Sequence, residues 1–190
     1  MLKRISFTAA LMTMAASPAF AHLDPAAHGS LMAGISHPLF GADHILAMVA
    51  VGIWASQIGG RAFWAVPVAF VSMMALGFGL AVAGMSLPFV EPAILASVIG
   101  LGLLVAAAIR LPVAASAAVV GIFALFHGHA HGGELGSAGA LSFGLGFLAA
   151  TAALHGTGLA LGLGVSRLGP ALARILGIAT VVGGAAITFG

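Results

Sequence analysis

The chain has 190 residues, of which 62% are hydrophobic and 5% are charged, and its mean hydropathy is +1.22. A chain with this small share of polar residues cannot cover the surface of a water-soluble domain. The composition therefore predicts an integral membrane protein. The formal net charge of +2 comes without any basic tract, which excludes nucleic acid as a partner. Because the chain contains no cysteine, disulfides, thiolate sites and iron–sulfur clusters are excluded, and any metal ligands must be nitrogen or oxygen atoms.

Residues 1–21 have the pattern of a secretory signal peptide. A basic start and an apolar core of about 12 residues precede the small-residue cleavage pattern Ala19-Phe20-Ala21. An uncleaved membrane anchor is the alternative, but an apolar core of this length is short for a span. Cleavage would make His22 the first residue, outside the cytoplasm, and would leave residues 22–190 as one transmembrane domain.

The rest of the chain predicts an all-α, polytopic bundle of six transmembrane helices. A helix needs about 20 apolar residues to cross a bilayer, and breaks containing glycine, proline or arginine separate the apolar segments. The predicted spans lie near residues 30–56, 63–84, 91–109, 112–127, 138–165 and 171–189. Small-residue spacing such as Gly158-x-x-x-Gly162 favours close packing between helices in the lipid bilayer.

The arginines predict how this bundle is oriented in a bacterial-type inner membrane. With six spans and a start outside, Arg61, Arg110 and Arg167 fall in cytoplasmic loops, and Arg174 lies close to the same face. This distribution obeys the positive-inside rule. Both ends of the mature chain are then expected on the periplasmic or extracellular side. Six such spans are compatible with a monomer or with a homo-oligomer.

Three polar residues, His37, Asp43 and His44, lie in the first predicted span. An aspartate at the centre of a membrane helix costs about 2.5–3.5 kcal/mol on insertion scales, so such residues usually face a site or a pathway. On an unbroken helix both histidines would face one cavity, and Asp43 would point about 100° away from His44. Pro38 allows the membrane helix to begin later, and Gly41 permits a broken helix. A structural hydrogen bond made by Asp43 is the alternative to metal ligation.

A second polar cluster, Phe126-His127-Gly128-His129-Ala130-His131-Gly132-Gly133-Glu134, follows the fourth predicted span. If the helix continues through it, His127 and His131 lie on one face about 6 Å apart, which suits one shared divalent ion. A solvated polar loop is the alternative. His129 is a further candidate ligand, and Glu134 is a candidate ligand, a partner that orients an imidazole, or a solubilising loop residue.

Two separate histidines complete the set of candidate metal ligands. Signal cleavage would free the α-amine of His22 beside its own imidazole, so that both could chelate one ion, and a disordered tail is the alternative. His155 lies deep in the fifth predicted span. A ligand at an inner station of a pathway and a structural histidine bonded to a carbonyl or a threonine both fit that position.

Together these residues resemble the HupE/UreJ family of hydrogenase and urease accessory membrane proteins. The shared signatures are His37-Pro38-x-x-Gly41-x-Asp43-His44 with its Leu46-Ala47-Met48-x-x-Val51-Gly52 continuation, and Phe126-His127-Gly128-x-Ala130-His131-Gly132-x-Glu134. The resemblance covers nearly all of the mature chain, including Glu91 and His155. It implies transport of nickel, or of cobalt, and an indirect link to NiFe hydrogenase or urease maturation. The first motif also resembles the His-x-x-x-x-Asp-His signature of nickel/cobalt permeases, but it has one more intervening residue.

The expected function is therefore passive or secondary transport of a divalent transition metal into the cytoplasm. Imidazole and carboxylate groups suit Ni²⁺, Co²⁺, Zn²⁺ and Cu²⁺, so selectivity must come from geometry. The chain has no Gly-x-x-x-x-Gly-Lys-Ser/Thr loop for ATP, and no catalytic cofactor is expected. An enzyme is not expected either, because membrane metalloenzymes need several histidine boxes and no His-Glu-x-x-His is present. A membrane metal sensor or chaperone is the remaining alternative.

Overall fold

The computed structural model describes residues 30–135 and 139–190. Within these ranges the chain forms seven helices and no strand, which confirms the all-α class. The helices are α1 (Leu31–Phe40), α2 (Ala42–Ile58), α3 (Ala62–Val82), α4 (Val90–Ala106), α5 (Val113–Leu135), α6 (Ala140–Leu168) and α7 (Pro170–Phe189). The predicted signal peptide and the candidate ligand His22 lie outside the described residues, so both stay predictions.

The apolar helices identify a multi-pass membrane protein. Four of them, α3, α5, α6 and α7, are long and apolar enough to cross a membrane. The pair α1 and α2 passes the same test only together, and it is bent by 80°. Helix α4 is apolar but has only 17 residues. The predicted number of six spans therefore corresponds to four long helices, one bent pair and one shorter helix, and the count itself stays a prediction.

The segment predicted as one helix over residues 30–56 is broken at Gly41. This residue has extended backbone angles, φ −79° and ψ 114°, and it ends α1 and precedes α2. A Cβ atom at this position would lie 2.8 Å from Nδ1 of His44 and 3.1 Å from Oδ1 of Asp43. The unbroken-helix geometry is therefore wrong, and the absence of a side chain at Gly41 leaves room for the two polar residues that follow the bend.

Helix α5 is longer than predicted and is not broken by the glycines in its second half. The fourth span was expected to end near residue 127, but α5 continues to Leu135. Gly128 and Gly132 do not break the helix, because both face α3: a Cβ atom on either would collide with backbone atoms of Phe78. The continuous helix brings His127 and His131 to one buried face, so the solvated-loop interpretation is wrong for these two residues.

Glycines set the spacing between the packed helices. Helix α3 packs along α5, α2 along α6, α4 along α7, and α1 against α6. At each of these interfaces both helices contribute a glycine where the two backbones come close together. In the order given, the glycines are Gly77 and Gly128, Gly52 and Gly158, Gly102 and Gly177, and Gly34 and Gly146. Gly162 also faces α2, where a Cβ atom would collide with Ser56, so the predicted packing role of Gly158-x-x-x-Gly162 is confirmed.

The loops that contain Arg61 and Arg110 lie at the same end of the bundle. The indole Nε1 of Trp54 donates to the carbonyl of Ile109 at 2.7 Å, and Nε2 of Gln57 donates to the carbonyl of Val105 at 3.1 Å, so α2 and α4 end side by side. The chain re-enters the bundle from this end after Arg61 and after Arg110. The bend at Gly41 and the last turns of α5 lie at the opposite end.

Candidate metal site

His44 lies in the first turn of α2, and its orientation is set by the preceding residue. Its Nδ1 atom lies 2.9 Å from Oδ1 of Asp43. An ionised carboxylate can only accept a hydrogen bond, so Nδ1 donates, and the neutral ring then carries its lone pair on Nε2. This carboxylate–histidine arrangement is the one that fixes the tautomer of metal-ligating histidines. Asp43 also lies at the N-terminus of α2, where the helix dipole favours a negative charge.

His131 on α5 faces the lone pair of His44. The two Nε2 atoms are 2.8 Å apart, and both side chains are buried, with 3% of His44 and 8% of His131 exposed. Because Nε2 of His44 carries no proton, Nε2 of His131 donates this hydrogen bond. Two nitrogens that bind one ion tetrahedrally at about 2.0–2.1 Å would be about 3.3 Å apart. A divalent ion could therefore replace the shared proton with little movement of the rings.

His37 is the third histidine of the group, and it reaches the other two from the last turn of α1. Its ring centroid lies 4.2 Å from that of His131 and 5.2 Å from that of His44. One ligand atom from each of the three residues can be chosen so that all lie within 4.8 Å of one another. Within the part of the chain that the structure describes, these residues form the one group of at least three potential ligands close enough for a metal ion.

Aromatic side chains close one side of this histidine group. The ring of Phe147 lies 5.1 Å from His131, 5.9 Å from His44 and 6.1 Å from His37, measured between ring centroids. Phe143 packs against Phe147 and lies 6.0 Å from His37. Both phenylalanines come from α6. The imidazoles are therefore held in an apolar setting in which a bound ion would lose most of its water.

His127 lies one turn before His131 on α5 and is completely buried. Its Nε2 atom is 2.9 Å from the hydroxyl of Ser97, whose oxygen is also 2.6 Å from the carbonyl of Ile94. A carbonyl only accepts, so the single hydroxyl proton goes to Ile94 and Nε2 of His127 donates to Ser97. The lone pair of His127 is then on Nδ1, which has no hydrogen-bond partner among the described residues. Its ring lies 5.4 Å from that of His44, so a further buried imidazole nitrogen lies beside the three-histidine group.

Ser97 was missed by the sequence analysis. It lies in the middle of α4, a helix that is otherwise apolar after Glu91 in its first turn, and it is completely buried. A hydroxyl in such a helix was the available signal, since buried polar groups in membrane helices usually bond across an interface. What could not be read from the sequence was that α4 lies beside α5 at this level.

The remaining predicted residues are placed as follows. Asp43 forms a hydrogen bond with His44 and is not part of the three-histidine group, so ligation of a metal by this carboxylate stays a prediction. His129 donates from Nε2 to the carbonyl of Met85 at 2.7 Å and is not brought into the group. Glu134 lies in α5, and its side chain is outside the described part of the structure. Glu91 lies in the first turn of α4, where the helix dipole favours a negative charge.

His155 lies on α6, separate from the three-histidine group and with only 1% of its surface exposed. Its ring contacts Phe70, and Phe70 in turn contacts His127, with centroid distances of 4.9 and 5.9 Å. Neither ring nitrogen of His155 has a hydrogen-bond partner within residues 30–135 and 139–190. The expected structural bond to a carbonyl or to a threonine is therefore not made within these ranges; the hydroxyl of Thr151 points instead at the sulfur of Met74, at 3.7 Å.

Comparison with known proteins gives one family. The family described as HupE / UreJ protein matches residues 10–187 of the chain. The chain is also 51% identical to Protein HupE of Rhizobium leguminosarum bv. viciae over 176 residues, which covers 92% of this chain and 92% of that relative. No solved structure matches the chain.

Proposed function

The chain belongs to the HupE / UreJ protein family, and from that premise we propose that it transports a divalent transition metal ion across the membrane. Nickel is the proposed substrate, and cobalt is the first alternative. The group formed by the half-buried His37 and the buried His44 and His131 carries the proposal, because three imidazoles converge at a break in a membrane helix. Nitrogen ligands of this kind suit borderline ions such as Ni²⁺, Co²⁺, Zn²⁺ and Cu²⁺.

The arrangement of ligands supports transport more than permanent storage. Three imidazoles leave coordination positions open, so water or a further ligand can enter and leave, whereas structural metal sites are usually closed. A transported ion must bind firmly enough to lose water and weakly enough to move on. In the proposed site Asp43 keeps His44 in the ligating tautomer, and His127 offers the next nitrogen one helix turn away.

The arginines support the proposed direction of transport. The loops with Arg61 and Arg110 lie at the end of the bundle opposite the bend at Gly41. If these loops face the cytoplasm, as the positive-inside rule predicts, the histidine group lies toward the outer face, and the proposed direction of metal movement is inward. We propose that the ion then supplies a nickel enzyme such as NiFe hydrogenase or urease.

Uptake of labelled nickel into proteoliposomes that contain the purified protein tests this proposal. Wild type is expected to take up more nickel than empty vesicles, and His44→Ala is expected to lower the rate by about tenfold or more, since it removes a ligand nitrogen. Thr157→Val is the control, because this hydroxyl is exposed and bonds only to the carbonyl of Ala153 in its own helix. Competition with zinc, cobalt and copper would identify the preferred ion.

Two outcomes would contradict transport. Wild type that moves no more metal than empty vesicles, under either a proton gradient or a membrane potential, would show that the protein is not a permease. If that same preparation binds nickel in detergent, a metal sensor or chaperone becomes the better assignment.

A further inference from the structure

Ser97 and His127 form a hydrogen bond between α4 and α5 in which the position of each proton is determined. The hydroxyl oxygen of Ser97 lies 2.6 Å from the carbonyl oxygen of Ile94 and 2.9 Å from Nε2 of His127. Because the carbonyl takes the only hydroxyl proton, Nε2 of His127 carries a hydrogen and donates it to Ser97. Ser97 therefore holds His127 in the tautomer whose lone pair is on Nδ1.

This lone pair of His127 is kept in the interior of the bundle without a hydrogen bond. Both side chains of the pair are completely buried, and Nδ1 of His127 has no partner within residues 30–135 and 139–190. A buried acceptor without a donor destabilises the folded state. A contact that served only to join α4 to α5 would not require this unsatisfied nitrogen, whereas a metal ligand requires a lone pair that no donor of the protein occupies.

His127 lies deeper in the bundle than the histidines of the three-histidine group on either side of the bend. It precedes His131 by four residues on the buried face of α5, which places it about 6 Å closer to the end where α5 begins, at 1.5 Å per residue. Its ring centroid lies 5.4 Å from that of His44. His37 is half-buried, whereas His127 is completely buried. The two therefore neighbour His44 at different depths.

We propose that Ser97 is a positioning residue for transport, which keeps the Nδ1 lone pair of His127 available, and that His127 replaces His37 as the third ligand when the ion moves inward. This inference rests on the proposed transport function. His44 and His131 hold the ion during the exchange, so it is not left with a single imidazole. Replacement of one ligand at a time allows an ion to move on without binding too firmly at any position.

Ser97→Ala and Ser97→Thr separate this role from packing. The alanine variant removes the acceptor for Nε2 of His127, so the ring proton is free to move to Nδ1, which then cannot bind an ion. The threonine variant keeps a hydroxyl at the same position. Ser116→Ala is the matched control, because Ser116 is also completely buried and its hydroxyl contacts the carbonyls of Leu111 and Pro112.

Four quantities are measured for each variant and for wild type. They are the rate of nickel uptake into proteoliposomes, the affinity for Co²⁺ by absorption spectroscopy in detergent, the temperature of unfolding, and the tautomer of His127 by ¹⁵N NMR of the metal-free protein. The spectrum of His127→Ala identifies the signal of this ring, which is missing there.

We expect wild type, Ser97→Thr and Ser116→Ala to carry the proton of His127 on Nε2, and Ser97→Ala to carry part of it on Nδ1. Ser97→Ala should take up nickel about tenfold more slowly or worse, whereas Ser97→Thr should remain close to wild type. The Co²⁺ affinity and the unfolding temperature of Ser97→Ala should match those of Ser116→Ala, because the three-histidine group is intact in both.

A proton on Nδ1 of His127 in wild type would overturn the inference without any serine variant, and so would uptake by Ser97→Ala equal to that of Ser116→Ala. Slow uptake by Ser97→Ala together with clearly lower unfolding temperature, or with an equal loss of Co²⁺ affinity, would also overturn it. The serine would then support the fold or the three-histidine group instead. Absence of uptake by wild type would contradict the proposed function itself, while the NMR spectrum gives the tautomer of His127 in either case.

Discussion

At the scale of single residues, Asp43 and His44 have different roles although they are adjacent and both are polar. The carboxylate of Asp43 can only accept a hydrogen bond, and the imidazole of His44 needs one nitrogen held and the other free to bind an ion. The distance of 2.9 Å between Oδ1 and Nδ1 meets both requirements. Asp43 is therefore best described as a positioning residue for the proposed ligand His44.

Replacement of Asp43 tests this positioning role. Asp43→Asn keeps the size of the side chain but replaces a charged acceptor by a neutral amide, so the tautomer of His44 is no longer firmly set. We expect the affinity for Co²⁺ or Ni²⁺, measured by isothermal titration in detergent, to fall by about 10–100-fold. X-ray absorption at saturating metal should give the same number of nitrogen ligands as wild type. An unchanged affinity would show that the carboxylate does not support the site.

The spacing of the histidines at residues 127, 129 and 131 predicts which of them share a helix face, but only if the helix is continuous. On a continuous helix His127 and His131 share a face, whereas His129 lies about 200° around the axis from His127. The structure follows this geometry: His129 bonds to the carbonyl of Met85 and the other two point inward. The sequence could separate His129 from the pair only once the continuity of α5 was known, and the glycines at residues 128, 132 and 133 obscured that continuity.

At the scale of elements, two glycine-containing segments behave in opposite ways for a physical reason. Gly41 lies where a side chain would collide with the next two polar residues, and the chain bends there. Gly128 and Gly132 lie within a helix that fits closely against α3, so their missing side chains serve contact with the neighbouring helix. Sequence alone indicates that both segments can bend, but the partner helix decides which one does.

Gly128 offers a direct test of this packing. A Cβ atom on it would collide with the backbone of Met74, so Gly128→Ala should force α3 and α5 apart and lower the free energy of unfolding by about 1–3 kcal/mol. Gly133→Ala is the control on the same helix, since a Cβ atom there meets nothing within 4 Å. Alanine favours helix by up to about 1 kcal/mol over glycine, so the control should be neutral or stabilising.

Thermal unfolding in detergent, followed by circular dichroism, measures both glycine variants. If Gly128→Ala unfolds at the same temperature as Gly133→Ala, the helices at this crossing are not in tight backbone contact. Reduced metal binding by Gly128→Ala alone would be a secondary effect, because His127 and His131 flank this glycine on α5.

At the scale of the whole molecule, the proposed orientation places the histidine end outside and the arginine end in the cytoplasm. The chain has no cysteine, so Ser86→Cys and Ser166→Cys each introduce a single reactive thiol. Ser86 follows α3 at the end where His129 contacts Met85, and Ser166 lies two residues before the end of α6, so the two positions should face opposite sides of the membrane.

An impermeant thiol reagent applied to intact spheroplasts should label Ser86→Cys, whereas Ser166→Cys should require permeabilised cells. This outcome is expected because arginine-containing loops remain cytoplasmic. The reverse pattern would invert the bundle, and the direction proposed for metal movement would then be outward. The cysteine-free wild type measures the background labelling.

The sequence by itself determined the class of the protein, the apolar segments and the two polar motifs. These features are local: composition and the period of a helix decide them, and neither depends on a distant neighbour. The family resemblance built on those motifs was confirmed by the matches over residues 10–187 and 92% of the chain.

Only the tertiary structure decided which polar residues meet. It brought His131 to His44 across 87 positions of sequence, and it paired His127 with Ser97. It also buried His155 against Phe70 with no hydrogen-bond partner among the residues that the structure describes. These contacts depend on the bend at Gly41 and on close helix crossings at glycines, which are set by steric fit between distant segments. The spacing of polar and apolar residues along one helix does not indicate which helix packs against it. These contacts could therefore not be predicted from the sequence alone.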